Sequence, residues 1–165
     1  MKIDSIETLP YSLTMSKPFI TSKEAFNKRD GYIIKIISDE YVGFGDVSPL
    51  PNFSSESIKD TIYGIELFKK AVQDANEISK YEFIEMIKIY LDNLPSAQFG
   101  INSSFIDLLS KKNELPFAKY LNKNYSNTIY TNGLEHIHNP EDNFPIIKVK
   151  VGFRNLFDEL ENLEY

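Results

Sequence analysis

The fold of this chain is decided by the stretch Gly31-Tyr32-Ile33-Ile34-Lys35-Ile36-Ile37-Ser38-Asp39-Glu40-Tyr41-Val42-Gly43-Phe44-Gly45. Residues 31–37 are rich in β-branched side chains and predict a strand. Residues 38–40 predict a turn, and residues 41–45 predict a second strand that pairs antiparallel with the first. An antiparallel meander is therefore expected near the start of the chain.

The residues upstream of this pair predict another strand and a loop. Residues 2–13 show apolar side chains in imperfect alternation, and Pro10 among them indicates an edge strand or a bulge. Residues 16–30 are polar and include Pro18, so they predict a mobile loop.

Three helices are predicted downstream, because apolar side chains recur there every three or four residues. The first follows the capping segment Ser54-Ser55-Glu56-Ser57, the second ends before Pro95, and the third begins near Ser96. The three apolar stripes are, in order, Ile58, Ile62, Ile65, Phe68 and Val72; Phe83, Ile84, Ile87, Tyr90 and Leu91; and Phe99, Ile101, Phe105, Leu108 and Leu109. A short helical turn is expected near residues 117–121.

The last part of the chain returns to strands. Residues 128–130 and 146–151 predict strands, and Leu156, Leu160 and Leu163 predict an amphipathic helix. This order predicts an α+β domain at residues 1–124 that leads into the start of a βα barrel at residues 125–165. Late strands of this kind need parallel neighbours, and a closed barrel takes roughly 200 residues or more. We therefore expect the front part of a larger protein, whose two late strands lack partners.

Composition narrows the class of protein. The net charge of −6 argues against nucleic acid as the main partner, since a phosphate-binding surface needs a basic excess. The chain has no cysteine, which excludes disulfides and thiolate chemistry. No apolar run is long enough to span a bilayer. A soluble, cytoplasmic protein with no membrane partner is expected.

The candidate chemistry lies in Lys148-Val149-Lys150, within the second late strand. Alternation along a strand places Lys148 and Lys150 on one face. Two neighbouring ammonium groups repel, and a low-dielectric wall disfavours the charged form, so such a pair is a candidate amine base. The structural alternative is an edge strand whose solvated lysines prevent aggregation.

Five segments carry a family resemblance. Gly43-Phe44-Gly45-Asp46-Val47-Ser48-Pro49-Leu50-Pro51-Asn52-Phe53-Ser54-Ser55-Glu56-Ser57 resembles a segment of the o-succinylbenzoate synthases, which belong to the lysine-paired, muconate-lactonizing-enzyme-like subgroup of the enolase superfamily. Asp46 stands where glutamate is commoner, and Asn52 where glycine is usual. The other four similar segments are Arg29-Asp30-Gly31-Tyr32, Pro95-Ser96-Ala97-Gln98-Phe99-Gly100, Thr131-Asn132-Gly133-Leu134 and Lys148-Val149-Lys150-Val151-Gly152.

The resemblance implies a fold and an activity. The fold is the enolase-superfamily N-terminal capping domain, followed by the first two strands of an incomplete (β/α) barrel. Lys150 matches the base that removes a proton α to a carboxylate, and Lys148 matches the lysine that assists it. The implied reaction is the dehydration of 2-succinyl-6-hydroxy-2,4-cyclohexadiene-1-carboxylate in menaquinone biosynthesis. In such enzymes Mg²⁺ stabilises the enediolate.

The resemblance also assigns the polar loop and the metal ligands. The loop matches a flap over the substrate, so Thr21 or Arg29 is expected to contact this small carboxylate. The three acidic magnesium ligands of the family end barrel strands that this chain does not contain, so no metal ligand is expected here. The remaining acids and histidines are interpreted as solvated surface residues; they are Asp158, Glu159, Glu161, Glu164, His136 and His138.

Three functions remain open from the sequence. The first is a truncated o-succinylbenzoate synthase that is inactive alone. The second is a related cycloisomerase or dipeptide epimerase. The third is a non-enzymatic truncated product or an interaction module, with self-association through unpaired barrel strands.

Overall fold

The computed structural model describes residues 1–20, 25–51, 56–134, 144–149 and 155–161. Within these residues, ten elements follow one another: β1 (Ser5–Ile20), β2 (Ala25–Ser38), β3 (Tyr41–Val47), α1 (Ile58–Asp74), α2 (Lys80–Tyr90), α3 (Pro95–Lys112), α4 (Phe117–Leu121), β4 (Gly133–Leu134), β5 (Ile147–Lys148) and α5 (Leu156–Glu161).

The chain divides into two compact units. The first comprises Met1–Thr14 and Lys28–Tyr125, and the second comprises Met15–Asn27 and Ser126–Tyr165. Every buried hydrophobic residue of the described chain lies in the first unit. Its centre is a cluster of rings from all three long helices, in which Phe83 packs edge-on against Phe68 at 5.2 Å and stacks on Phe105 at 3.8 Å.

The predicted strand pair is confirmed. β2 and β3 are antiparallel, with Tyr32 opposite Val47 and Ser38 opposite Tyr41. The turn between them places Asp39 at a positive φ of 54°, a conformation that aspartate tolerates. β1 takes the outer position in the order β1-β2-β3, which agrees with the edge strand that Pro10 indicates.

The prediction of a mobile loop at residues 16–30 is wrong. β1 continues to Ile20 and β2 already begins at Ala25, so most of this stretch is a long β-hairpin. Most side chains in its distal part are exposed or half-buried, so they show no apolar alternation for a sequence pattern to detect. The rings of Phe19 and Phe26 face each other there at 6.4 Å.

The three long helices and the short α4 confirm the helical predictions. Ser57 accepts a hydrogen bond from the Asp60 N–H and begins α1. α2 begins at Lys80, earlier than its apolar stripe, because Ser79 and Glu82 form a reciprocal capping box.

The first turn of α3 is capped by a residue from a distant segment. Leu94 precedes this helix and offers no capping side chain. Glu56 lies instead at the helix start, only 4% exposed, and its carboxylate accepts a hydrogen bond of 2.6 Å from the Ser96 N–H. A carboxylate at this end also interacts favourably with the helix dipole. The residue therefore joins the segment before α1 to α3.

α3 packs on β3 with the two backbones almost in contact. A Cβ at Gly43 would lie 2.6 Å from the Leu108 nitrogen, and a Cβ at Gly45 would lie 2.8 Å from the Ser104 nitrogen. Two strand residues and four helix residues each span about 6–7 Å, so the contacts repeat in step along both elements. Gly43 and Gly45 thus serve strand–helix packing.

The outer edge of β3 is closed by side chains of α3. The Phe44 N–H donates to the Asp107 carboxylate at 2.8 Å, and Lys111 Nζ donates to the Val42 carbonyl at 2.8 Å. Asp107 and Lys111 also form an ion pair at 2.7 Å, one helical turn apart. These two side chains therefore replace a neighbouring strand along this stretch.

The second unit contains a parallel pair of short strands. Gly133 lies opposite Ile147 and Leu134 opposite Lys148. The expectation that the late strand around Lys148 lacks a partner is therefore wrong, because β5 pairs with β4. The predicted strand at residues 128–130 is also wrong. Ile129 and Tyr130 are 81% and 84% exposed, so their β propensity finds no surface to pack on.

The remaining late predictions are tested only in part. α5 confirms the terminal helix as far as Glu161, whereas Leu163 lies outside the described residues. β5 covers Ile147–Lys148, and residues 150 and 151 of the predicted strand lie outside them as well. Among the described helices, none has the length and apolar character needed to cross a membrane.

Candidate functional site

The lysine motif is described up to Val149. Lys148 lies in β5 with its side chain exposed, directly opposite Leu134 of β4. Lys150, the candidate base, lies outside the described residues. The structure nevertheless places the segments around Gly133 and Lys148 side by side as parallel neighbours, and a hydrogen bond of 2.9 Å joins the Gly133 N–H to the Ile146 carbonyl.

Gly133 is buried, and its lack of a side chain lets a ring pack against the strand. A Cβ at this position would lie 2.7 Å from Cδ2 of Phe144, a residue shortly before β5. The glycine of the Asn-Gly-Leu segment therefore lets the segment before β5 pack closely against β4.

Arg29 lies in β2 at the start of the resemblance segment Arg-Asp-Gly. Its guanidinium donates to two main-chain carbonyls beyond the end of β3, those of Ser48 and Pro49, the second at 3.3 Å. These bonds use two of the five N–H donors of the side chain. Thr21, the other candidate for substrate contact, lies outside the described residues.

Tyr11 is a neighbour of Arg29 that sequence reasoning missed. Its hydroxyl donates a hydrogen bond of 2.7 Å to Asp46. The pKa of Tyr11 is raised, chiefly by partial burial, and the neighbouring Asp46 raises it further. Hydrogen bonding with Ser48 and the charge of Arg29 lower it in part. Its place in an imperfectly alternating strand gave no signal, because its partner is 35 residues away.

The described residues do not form a magnesium site. They contain no group of three or more His, Asp or Glu side chains placed to hold a metal ion, and Mg²⁺ requires several oxygen ligands. Asp158 and Glu161 are exposed on α5, as predicted for a solvated acidic face. His136, His138, the Glu159 side chain and Glu164 lie outside the described residues.

A comparison with protein-family models settles the family. Residues 3–108 match the model described as "MenC, N-terminal domain". The chain belongs to this family. The match spans β1 to α3, up to Leu108, and so includes the hairpin, the glycine-mediated packing and the Glu56 cap.

Three known proteins show what this chain is similar to. A hydrophobic dipeptide epimerase from Enterococcus faecalis is 27% identical over 94% of this chain and 45% of its own length. An o-succinylbenzoate synthase from Klebsiella pneumoniae is 29% identical over 66% of this chain and 29% of its own length. The L-Ala-D/L-Glu epimerase from Bacillus subtilis has a TM-score of 0.84 at 23% identity, over 99% of this chain and 49% of that one.

The solved structure of a dipeptide epimerase from the same Enterococcus strain, complexed with Mg and L-Leu-L-Tyr, has a TM-score of 0.77 at 25% identity; the match covers 92% of this chain and 46% of that one. The chain thus spans less than half the length of these relatives.

These comparisons confirm the predicted fold class and its place in the enolase superfamily. The α+β arrangement of a three-stranded antiparallel sheet followed by helices is the N-terminal capping domain of that superfamily. The resemblance to o-succinylbenzoate synthases is confirmed at the level of the superfamily, since synthases and dipeptide epimerases are both among the relatives.

Proposed function

We propose that this chain supplies the capping domain and the first two barrel strands of an o-succinylbenzoate synthase. The observation that carries the proposal is the parallel pairing of Gly133–Leu134 with Ile147–Lys148. Parallel pairing brings the carboxyl ends of both strands to one edge, where βα barrels assemble their active sites. The match to the MenC family model and the segment from Gly43 to Ser57 support the synthase.

In this proposal Lys150 is the base. Its neutral amine takes the proton α to the substrate carboxylate and becomes an ammonium, and the electron pair of the C–H bond moves towards the carboxylate. The C–O bond to the hydroxyl then breaks, the Lys150 ammonium returns the proton to the departing hydroxide, and water leaves the cyclohexadiene ring. Lys148, two residues earlier in the sequence, holds the substrate carboxylate with its charge. Thr21 and the unused donors of Arg29 contact the substrate from the hairpin.

Magnesium belongs to the complete site in this proposal. The Enterococcus epimerase that resembles this chain was solved with Mg. Since the described residues hold no suitable ligand group, the ligands would come from beyond them.

A second candidate function is dipeptide epimerisation. The Enterococcus epimerase matches 94% of this chain, against 66% for the Klebsiella synthase. Both reactions would begin with removal of a proton α to a carbonyl group, so the same two lysines would serve either one.

The experiment supplies the rest of the barrel as a second polypeptide. The full chain is mixed with the remaining segment of the Klebsiella synthase or of the Enterococcus epimerase, and dehydration and dipeptide epimerisation are measured with Mg²⁺. The chain alone is expected to be inactive. We expect dehydration in the mixture with the synthase segment, a loss of ~10²-fold or more in Lys150→Ala, and a smaller loss in Lys148→Ala.

Lys119→Ala, on the exposed side of α4, is the matched control and should leave the rate unchanged. Epimerisation without dehydration would favour the second candidate. No activity in either mixture, with both polypeptides shown to be folded and bound to each other, would refute both and leave an interaction module.

A further inference from the structure

Three side chains, one from each strand of the sheet, make polar contacts near one point of the β1–β2 hairpin. Tyr11 of β1 donates to Asp46 of β3 at 2.7 Å, and Arg29 of β2 donates to the carbonyls of Ser48 and Pro49. The charge of Arg29 also lowers the pKa of Tyr11, so the two sets of contacts lie close together. Each of the three strands, or the residues directly after it, thus contributes to one polar network.

Gly31 makes this arrangement possible. A Cβ on Gly31 would lie 2.5 Å from the Tyr11 hydroxyl oxygen and 2.6 Å from the Val47 carbonyl oxygen. The tyrosine ring therefore lies over the glycine backbone, where any larger residue would displace the ring from Asp46. Arg29, Gly31 and Asp46 all belong to the segments that carry the family resemblance, and the proposed chemistry gives Gly31 and Asp46 no role.

The network lies where the hairpin passes from one compact unit to the other. Tyr11 comes shortly before Thr14, the last residue of β1 in the first unit, and Arg29 directly follows Lys28, the first residue of β2 in that unit. Beyond these points the two strands continue through residues 15–20 and 25–27 with side chains that are mostly exposed. A two-stranded ribbon with little buried surface is marginally stable by itself, so its order depends on how its base is held.

We propose that Tyr11, Arg29 and Asp46 are positioning residues that clamp the base of the hairpin and thereby keep its distal half, residues 15–20 and 25–27, ordered. The consequence for substrate binding rests on the function proposed above, because Thr21 lies between these two stretches of the hairpin. The clamp itself does not depend on that function.

Hydrogen exchange of the full chain tests the clamp without any substrate. Tyr11→Phe keeps the ring and removes the hydroxyl, and Arg29→Lys keeps the charge but loses the two-pronged bond to Ser48 and Pro49. Each variant should exchange the distal hairpin amides about tenfold faster, as the loss of one hydrogen bond to a charged or main-chain partner predicts. Core amides such as those of Ile36 and Phe83 should stay within twofold. Tyr63→Phe, on the exposed face of α1, is the matched control.

Two results would overturn the proposal. Unchanged distal exchange in both variants would show that the hairpin needs no clamp. A uniform increase that includes the core amides, and that follows a lower denaturation midpoint, would show only a general loss of stability. In the two-polypeptide assay, Tyr11→Phe should raise KM severalfold with little change in kcat. If that assay shows no activity at all, the proposed function fails while the exchange experiment still decides the clamp.

Discussion

Replacing Gly45 by alanine tests the backbone contact between β3 and α3. The added Cβ would lie 2.8 Å from the Ser104 nitrogen and 2.9 Å from the Gly100 carbonyl carbon, whereas ordinary contacts are 3.4–4 Å. Both neighbours are backbone atoms of one helix, so no side-chain rotation can relieve the clash. Strand and helix must separate by at least half an ångström along a surface that buries Ile101 and Phe105.

The energetics of overpacked cores give the expected loss in the free energy of unfolding. Inserted methyl groups in a packed core typically cost about 1–3 kcal/mol, and a contact that only the backbone can relieve belongs at the upper end. Replacing a glycine also restricts the unfolded chain, which offsets about 0.4–1 kcal/mol of this destabilisation. We therefore expect Gly45→Ala to lower the free energy of unfolding by about 2 kcal/mol or more, measured by urea denaturation with circular dichroism.

Gly64→Ala is the control for this experiment. Gly64 lies inside α1, and the atoms nearest to its added Cβ belong to the flexible side chains of Leu94 and Leu91. Alanine also gains up to about 1 kcal/mol in helix propensity there. This variant should stay within about 1 kcal/mol of the wild type. If Gly45→Ala proves no more destabilising than Gly64→Ala, the close strand–helix packing does not limit stability and the reasoning is refuted.

Two further predictions concern acid stability and association. Hydrogen bonds lower the pKa of Asp4, chiefly from the Asp39 N–H, and that of Glu82, chiefly from Ser79, below their ordinary values of 3.8 and 4.5. Because folding lowers both pKa values, the two carboxylates stabilise the fold above the ordinary values, and this stabilisation is lost as the pH falls through the lowered ones. Asp4→Asn combined with Glu82→Gln should therefore flatten the decline of the melting temperature in acid. An unchanged decline would contradict this. We also expect the full chain to self-associate in light scattering, since the described residues after Tyr125 expose several large apolar side chains, among them Ile146 and Phe157. A version ending at Tyr125 should stay monomeric, and a monomeric full chain at high concentration would refute the prediction.

The sequence predicts the elements whose side chains are buried on one face. Ile34 and Ile36 in β2, and the stripes of the three long helices, carry an alternation or a helical period because one side of each element faces the core. The distal hairpin escaped prediction because its mostly exposed side chains carry no apolar alternation. Ile129 led to a wrong prediction because a β-branched residue without a packing surface does not specify a strand.

The candidate site was harder to predict from the sequence than the fold. The lysine motif is local and therefore visible in the sequence, as two lysines two positions apart. The contacts that organise the neighbourhood of Arg29 join residues 19 and 35 positions apart, and Glu56 reaches Ser96 across 40 positions. Pairings of this kind leave no periodic signal, because each depends on a tertiary arrangement that no window of sequence contains.

The closed edge of β3 has a consequence for how this sheet could grow. Because Asp107 accepts from the Phe44 N–H and Lys111 donates to the Val42 carbonyl, two main-chain groups that an incoming strand would need on that side are already paired. The opposite edge is β1, where Pro10 and Pro18 lack the N–H groups that a continuous ladder requires. Both edges of the sheet therefore present an interrupted row of main-chain groups to an incoming strand. Such a sheet resists the edge-to-edge strand pairing through which fibres grow.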